Sequence, residues 1–327
     1  MAVNDSVKEN RGLDEAIAGM NNMRGLMALW IVLGHLGMNM NMENRAFLLM
    51  QRFDLAIVGV FFFLSGYGLE KSFRNKKDYL RSIVIKKIPR LFIMTIVQYF
   101  LTIGCFLLFH YRYEGEGLIS EYIKSLNWYM WELAVLYLVF FISHMLFKNV
   151  KAFYLAGILS AALMITVFLV QGPYAGCFSG MAFPAGMIIC GIKKKAEEFI
   201  DASYIRSFLI VLSLLIISGL LVFLPQSSFV ALIWKNLFSV VFALFAALIF
   251  LKTDIRSRIL RFLAAMSPEI YLYQFTAAGL VSLILYRRND LNRGLVFAAC
   301  SFVLTFVMAL AVYAIRTVIE KQFHKSR

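Results

Sequence analysis

Arg24 and His35 are the two residues whose types and spacing are best suited to chemistry. They bracket an apolar segment that reads Arg24-Gly-Leu-Met-Ala-Leu-Trp-Ile-Val-Leu-Gly-His35. In an α-helix, a separation of eleven residues returns to within about 20° of the starting direction and rises roughly 16 Å. We therefore expect both side chains on one face of one helix, with the arginine at the level of the headgroups and the histidine near the middle of the membrane.

His35 could serve as a proton acceptor in this position. A neutral imidazole leaves one ring nitrogen free to take a proton, and the flanking Gly34 and Gly37 would let a ligand or a second helix approach closely. A structural interpretation is equally open, in which Arg24 extends towards the headgroups and His35 forms a hydrogen bond to a neighbouring helix.

A second group of residues is suited to binding phosphate. The segment Lys86-Lys87-Ile88-Pro89-Arg90 follows a basic loop and places a proline in the first turn of an expected helix. Helix N-termini have free backbone N–H groups that bind anions, and Lys87 and Arg90 would add positive charge there. Each of these residues alone is also explained by an ordinary basic loop, and the preceding run Val60–Gly68 by aromatic packing.

A few acids and histidines lie at membrane depth or at its edge. Glu132 and Glu269 could orient a histidine, although a structural role is favoured for both. Asp54 is interpreted as an interfacial residue or an acceptor contact. His110 and His144 lie near the ends of apolar segments, where solvated histidines are common.

The elements that must position these residues are membrane-spanning helices. The chain is 61% hydrophobic with a mean hydropathy of +0.75, values that exclude a soluble globular domain. About twenty helical residues cross the hydrocarbon core. This criterion predicts an all-α polytopic bundle of ten spans, near 22–40, 54–70, 89–109, 128–147, 152–170, 174–192, 207–224, 229–251, 268–286 and 294–316. The sixth and ninth contain helix breakers and are therefore expected to face protein.

The distribution of charge predicts the orientation. Most of the 33 basic residues fall on one side if both termini are cytosolic, in agreement with the positive-inside rule. We therefore predict a cytosolic tail at 1–19, a membrane domain at 20–316 and a cytosolic tail at 317–327, in a multi-pass protein of the plasma membrane. The first span would act as an uncleaved signal anchor, since residues 1–19 have no apolar core typical of a signal peptide.

Composition also excludes several classes of partner. The net charge of +14 is attributed to topology and anionic headgroups and not to nucleic acid, because no folded soluble region concentrates it. The cysteines all fall within apolar spans, which gives no sign of a disulfide framework or of a metal site.

These motifs together resemble the acyltransferase 3 family of multi-pass membrane acyltransferases, over about residues 20–316. Members carry an arginine or lysine eleven residues before a histidine in the first span, as Arg24 and His35 do, followed by an F-F-x-L-S-G-Y/F element that is matched by Phe61–Tyr67. An R-x-x-R pattern follows, and here it reads Lys87-x-x-Arg90. The lysine at this position offers a point charge in place of a bidentate phosphate contact.

Two later elements extend the resemblance. Trp128-Tyr129-Met130 matches the W-F-L type of opening, and Ser267-Pro-Glu-Ile-Tyr-Leu-Tyr-Gln274 matches an S-x-x-I-Y-L-x-H element. Gln274 replaces the histidine of that element. One branch of the family carries paired glutamates after the tryptophan, and Glu132 falls one residue short of that pattern, so that role is not transferred.

The resemblance implies an enzyme that moves an acyl group, most often acetyl, from cytosolic acyl-coenzyme A to a hydroxyl of a glycan, a lipid-linked sugar or another envelope molecule. Acyl-CoA would be a co-substrate and not a permanently bound cofactor. Arg24, Lys87 and Arg90 would hold its phosphates, and His35 would act as a general base or as an acyl-histidine relay. The candidate substrate-binding residues are Ser65, Tyr67, Glu132 and Tyr271.

Two other functions remain open on the sequence alone. A proton-coupled transporter or flippase would use His35 and the glutamates as a relay, and would be expected to show inverted repeats and ionisable residues on several helices at one depth. A non-catalytic subunit would retain its role without His35.

Overall fold

The computed structural model is almost entirely helical in the part of the chain that it describes, which comprises residues 12–39, 45–108, 128–148, 150–171, 175–221, 229–255, 257–286 and 294–325. No strand occurs in these ranges. The prediction of an all-α bundle is confirmed. His110, which we interpreted as a solvated histidine, lies outside the described residues.

The described helices follow one another along the chain in a fixed order. They are α1 (Leu13–Asn22), α2 (Arg24–Asn39), α3 (Arg45–Asn75), α4 (Tyr79–Ser82), a π-helical turn (Ile83–Lys87), α5 (Ile88–Leu108), α6 (Trp128–Leu146), α7 (Val150–Gln171), a 3₁₀ turn (Ala175–Phe178), α8 (Ala182–Gly191), α9 (Lys193–Ala202), α10 (Tyr204–Leu221), α11 (Phe229–Lys252), α12 (Arg258–Tyr286) and α13 (Leu295–Lys325).

Length and hydropathy identify eight of the described helical stretches as candidate membrane spans, or nine if α1 and α2 form one bent span. The sequence predicted about ten. The difference lies at the sixth predicted span, 174–192, which contains only the 3₁₀ turn and the ten residues of α8. Ten helical residues rise about 15 Å, roughly half of the hydrocarbon thickness.

The core of the bundle is built around α3. Its aromatic run Phe61, Phe62 and Phe63 is buried, and α3 packs against α2, α8 and α11. Gly66 allows the close contact with α8, because a Cβ at this position would collide with the carbonyl oxygen of Phe183. By contrast, α10 buries only Ser207 and Ser218, so most of its side chains are available to lipid.

α1 is an amphipathic helix that closes one end of the bundle. Its apolar side chains Leu13, Ala16, Ile17 and Met20 are buried, and the chain bends by 45° between α1 and α2. Arg24, the first residue of α2, therefore follows a helix that is packed against the bundle.

Asp14 anchors α1 to two other helices. Its carboxylate accepts a hydrogen bond of 2.7 Å from the Tyr67 hydroxyl and forms ion pairs of 2.9 Å with Lys71 and 2.7 Å with Lys193. The hydrogen bond to Asp14 raises the pKa of Lys193 above its ordinary value, so Lys193 stays charged, and the pair stays formed, at neutral pH. We call this side of the bundle, defined by Asp14, Lys71 and Lys193, the basic end.

α12, which corresponds to the ninth predicted span, contains the helix breaker Pro268 and nevertheless remains continuous. Proline has no N–H, which deprives the carbonyl four residues earlier of its helical donor. That carbonyl, of Ala264, accepts a hydrogen bond of 2.9 Å from Ser267 Oγ, and the carbonyl of Ala265 accepts one of 3.1 Å from Arg316. The neighbouring side chains thus compensate for the break, as the sequence led us to expect.

Candidate active site

α2 and α12 run side by side and bring His35 against Gln274. The distance from His35 Nδ1 to Gln274 Oε1 is 2.9 Å, and Gln274 Nε2 donates a hydrogen bond of 3.1 Å to the backbone carbonyl of Tyr271. A carbonyl can only accept, so the NH₂ group of the amide must face Tyr271 and its oxygen must face the histidine. His35 Nδ1 therefore carries the proton, and Nε2 is the ring nitrogen left free to accept one.

The ring of His35 is held on a second side by Phe275. Their ring centroids lie 5.1 Å apart with an interplanar angle of 32°. A hydrogen bond and a ring contact together fix the plane of the imidazole, which a general base requires. Gln274, whose role could not be assigned from the sequence, is thus a direct partner of the predicted catalytic residue.

Arg24 begins α2, three helical turns before His35, and its guanidinium enters the interior of the bundle. Its Nε is buried and forms no hydrogen bond with any residue in the described ranges. The hydroxyl groups of Tyr129 and Tyr137 lie within electrostatic range of the guanidinium. A buried guanidinium with unused donors is costly, and an anionic ligand would satisfy it.

Two of the predicted substrate-binding residues border this interior region. The Ser65 side chain lies close to the Tyr137 hydroxyl, and the ring centroid of Tyr271 lies 5.1 Å from that of Tyr129. Since both tyrosines neighbour Arg24, the structure brings Ser65 and Tyr271 towards the same space. Tyr67 differs, because its hydroxyl is occupied by the bond to Asp14.

Lys87 and Arg90 have different surroundings although they are three residues apart. The ammonium group of Lys87 lies 5.2 Å from the centroid of the Tyr79 ring, and the buried Tyr79 hydroxyl has no hydrogen-bond partner among the described residues. Tyr79 is within electrostatic range of Tyr137, which is also near Arg24. Lys87 therefore lies close to residues that surround Arg24.

Arg90 instead pairs with Glu320 of α13 at 2.6 Å, and both side chains are about half exposed. Such an exposed pair contributes little stability. A phosphate could therefore replace Glu320, but only by breaking this contact.

Glu132, the fourth predicted substrate-binding residue, lies on α6 and is buried. Its Oε1 has no hydrogen-bond partner within the described part of the chain. The atom faces Gly180, where a Cβ would lie 2.8 Å from it. Glu269 forms an ion pair of 2.8 Å with Arg316, although neither of its carboxylate oxygens makes a hydrogen bond within the described part of the chain.

The interpretation of His144 as a solvated histidine is wrong. Its side chain is only 2% exposed, and Nε2 lies 2.9 Å from the equally buried Glu70. The second carboxylate oxygen of Glu70 accepts a hydrogen bond of 2.6 Å from Arg74. The i, i+4 spacing of Glu70 and Arg74 was visible in the sequence, but the pairing of Glu70 with a residue of α6 depends on the packing of two helices.

Taken together, the structure places an arginine with a buried Nε and a half-buried lysine near the basic end, and a histidine with a free ring nitrogen roughly 16 Å further along α2. This arrangement suits an extended substrate with an anionic end and a reactive end, in which a proton is removed near the reactive end.

Comparison with known proteins agrees with this geometry. A family model described as an acyltransferase domain matches residues 17–314. No curated protein and no solved structure matches the chain significantly.

Proposed function

Because the chain belongs to the acyltransferase 3 family of membrane acyltransferases, we propose that it transfers an acyl group, most often acetyl, from acyl-coenzyme A to a hydroxyl of an envelope glycan or lipid-linked sugar. One observation carries this proposal. Arg24 and His35 lie on one face of α2. The buried Nε of Arg24 has no hydrogen-bond partner among the described residues, and Nδ1 of His35 is hydrogen-bonded to Gln274.

In this proposal the nucleotide of acyl-CoA binds at the basic end. Arg24 and Lys87 contact its phosphates, and Arg90 joins them by exchanging Glu320 for phosphate. The pantetheine arm then extends along α2 towards His35, a separation of roughly 16 Å. Ser65 and Tyr271 line this path because they neighbour Tyr137 and Tyr129.

The chemical step uses the free nitrogen of His35. Nε2 removes the proton of the acceptor hydroxyl as its oxygen attacks the thioester carbonyl, the carbon–sulfur bond breaks, and the resulting thiolate takes the proton from the imidazolium. The carbonyl oxygen of Gln274 stabilises the imidazolium through Nδ1–H. Attack by Nε2 itself, which would give an acyl-histidine, uses the same orientation of the ring.

The proposal also includes the orientation of the protein. With both termini in the cytosol, the basic end and its phosphate-binding residues face the compartment that contains acyl-CoA. The tails at 1–19 and 317–327 then lie on that side, and the membrane domain at 20–316 contains the site. The plasma membrane is the expected location, where envelope acceptors are assembled.

A second candidate is a proton-coupled transporter or flippase. It is favoured by the buried carboxylates Asp54 and Glu132, which have unpartnered oxygens and lie on two different helices among those described. Such residues are typical of proton relays. This alternative predicts movement of a solute that depends on both acids, without any acylated product.

The test is mass analysis of envelope glycans and lipids from cells that lack the gene or carry wild type, His35→Ala or Asp78→Asn. Asp78 is a matched control because it is exposed and has a left-handed backbone, a conformation that asparagine also accepts. We expect an acyl mass that is present with wild type and Asp78→Asn and missing in the other two strains. Identical acyl profiles in all four strains would contradict the proposal.

A further inference from the structure

Tyr79, the first residue of α4, is a buried tyrosine to which no role has been assigned. Only 6% of the residue is exposed, and its hydroxyl forms no hydrogen bond with any residue in the described ranges. Burying a hydroxyl without a hydrogen bond is destabilising, whereas a phenylalanine would fill the same space without that cost. The hydroxyl of Tyr79 is therefore a candidate for contact with a ligand.

The ammonium group of Lys87 approaches the same ring. Lys87 is the last residue of the π-helical turn that directly follows α4. Helical side chains point towards the N-terminus of their helix, so Lys87 extends back towards Tyr79, and its Nζ lies 5.2 Å from the ring centroid. Within the described part of the chain, Lys87 forms no ion pair with an acid. Its charge is therefore available to an anionic ligand beside the Tyr79 hydroxyl.

Tyr137 of α6 connects this pair to Arg24. It is within electrostatic range of both Tyr79 and the Arg24 guanidinium, and both α4 and the π-helical turn pack against α6. The buried Nε of Arg24 has no hydrogen-bond partner, and no acid pairs with the guanidinium, among the residues that the structure describes. Two cations and a hydroxyl group, none of which has an anionic partner in the described ranges, therefore adjoin one tyrosine.

Open space adjoins this region on α3. Gly68 is exposed, and no atom of the described chain lies within 4 Å of the position that its Cβ would occupy. Ser65 lies three residues earlier, on a neighbouring position of the helix surface, and its side chain is close to the Tyr137 hydroxyl. One turn from Ser65, on the side of Lys71, the surface of α3 is therefore not covered by any of the described helices.

We propose that Tyr79 is a donor-binding residue whose hydroxyl donates a hydrogen bond to a phosphate oxygen of acyl-coenzyme A, between Lys87 and Arg24. Phosphate oxygens are strong hydrogen-bond acceptors, and a phenolic O–H group can donate to them. Lysine supplies only a point charge, so the hydroxyl adds a directed contact that Lys87 alone does not provide. This inference rests on the proposed acyl transfer and adds a residue to its donor site.

The test compares full-length wild type, Tyr79→Phe and Tyr204→Phe, since each substitution removes one hydroxyl and keeps the ring. Tyr204 is a matched control because the ammonium group of Lys252 lies 4.8 Å from its ring centroid. Unlike that of Tyr79, its hydroxyl already donates a hydrogen bond of 3.1 Å to the carbonyl of Leu248. Calorimetric titration with coenzyme A measures the affinity, and thermal unfolding without coenzyme A measures the stability.

We expect Tyr79→Phe to weaken the binding of coenzyme A about tenfold or more, the loss expected when a hydrogen bond to a charged group is removed. Its Tm without coenzyme A should equal or exceed that of wild type, because the lost hydroxyl has no partner in the described part of the fold. Tyr204→Phe should bind coenzyme A as wild type does. A residue that only supported the fold would lose affinity and stability together.

Three results would overturn the inference alone, in a wild-type protein that binds coenzyme A: an affinity of Tyr79→Phe equal to that of wild type, a Tm of Tyr79→Phe that falls with its affinity, or an equal loss of affinity in Tyr204→Phe. Folded wild-type protein that does not bind coenzyme A would overturn the proposed function as well.

Discussion

At the scale of single residues, the contact between His35 and Gln274 determines which ring nitrogen can react. The distance of 2.9 Å to Oε1 and the bond from Nε2 of the amide to the carbonyl of Tyr271 leave only one consistent pattern of donors and acceptors. In the proposed reaction, Gln274 is therefore a positioning residue for His35.

Replacing Gln274 by leucine should lower kcat for acyl transfer by about tenfold, because one hydrogen bond to the charged imidazolium is lost. The KM for acetyl-CoA should stay unchanged, since the donor phosphates bind elsewhere. Steady-state transfer in proteoliposomes measures both constants. Thr102→Val serves as the control, because Thr102 contacts α12 through Thr276 at 2.7 Å and not through His35. An equal loss in both variants would assign Gln274 a purely structural role.

Arg24 should determine the affinity for the donor. Arg24→Gln removes the charge and the unused buried donor and should therefore weaken coenzyme A binding by at least about tenfold. His35→Ala should leave coenzyme A binding intact. Calorimetric titration of the purified variants measures both affinities, and unchanged binding in Arg24→Gln would remove Arg24 from the donor site.

The sequence predicted the candidate reactive residues but not all their partners. The spacing of Arg24 and His35 follows from helical periodicity alone, so it could be predicted. The role of Gln274 could not, because it depends on the register between α2 and α12. The same holds for His144, which appeared solvated until its contact with Glu70 on another helix was seen.

At the scale of elements, the packing of α3 against α8 depends on glycine. Gly66→Ala should destabilise the protein by about 1–3 kcal/mol, the usual cost of overpacking, since its Cβ would meet the backbone carbonyl of Phe183, which cannot rotate away. Gly68→Ala is the matched control two residues later, with no atom within 4 Å of its Cβ. Thermal unfolding in detergent compares them, and equal Tm values would contradict this account of the α3–α8 contact.

Hydropathy predicted the long helices well and the short ones poorly. α6, α7 and α11 agree with their predicted spans to within a few residues, because a continuous apolar run is itself the signal. The run 174–192 is apolar too, but in the structure it forms a turn and a half-length helix. α1 is amphipathic and short, and it packs through its buried apolar side chains while Asp14 forms contacts with α3 and α9.

At the scale of the whole molecule, the charge distribution predicts that the basic end faces the cytosol. A fluorescent protein fused to the C-terminus should therefore be fluorescent, whereas alkaline phosphatase fused there should be inactive. Fusions made after Leu221, at the other end of α10, should give the reverse. The opposite pattern would place the candidate phosphate-binding residues away from the proposed cytosolic donor.

The bundle and its family could be deduced from composition and motifs because both depend on many residues at once. Hydropathy alone does not give the helix boundaries, since the run 174–192 contains a 3₁₀ turn and the ten-residue α8, and α1 and α2 are separated by a bend of 45°. Among the described residues, both carboxylate oxygens of Asp54 and Oε1 of Glu132 have no hydrogen-bond partner, and this could not be predicted because it depends on how the helices pack.

The most direct test of the central claim is transfer of radiolabelled acetyl from acetyl-CoA to the envelope fraction of inverted membrane vesicles, compared between wild type, His35→Asn and Asp78→Asn at equal protein levels. We expect base-labile label with wild type and Asp78→Asn, and a loss of at least about a hundredfold in His35→Asn, the lower range for removal of a general base. Equal incorporation by wild type and His35→Asn would contradict the account.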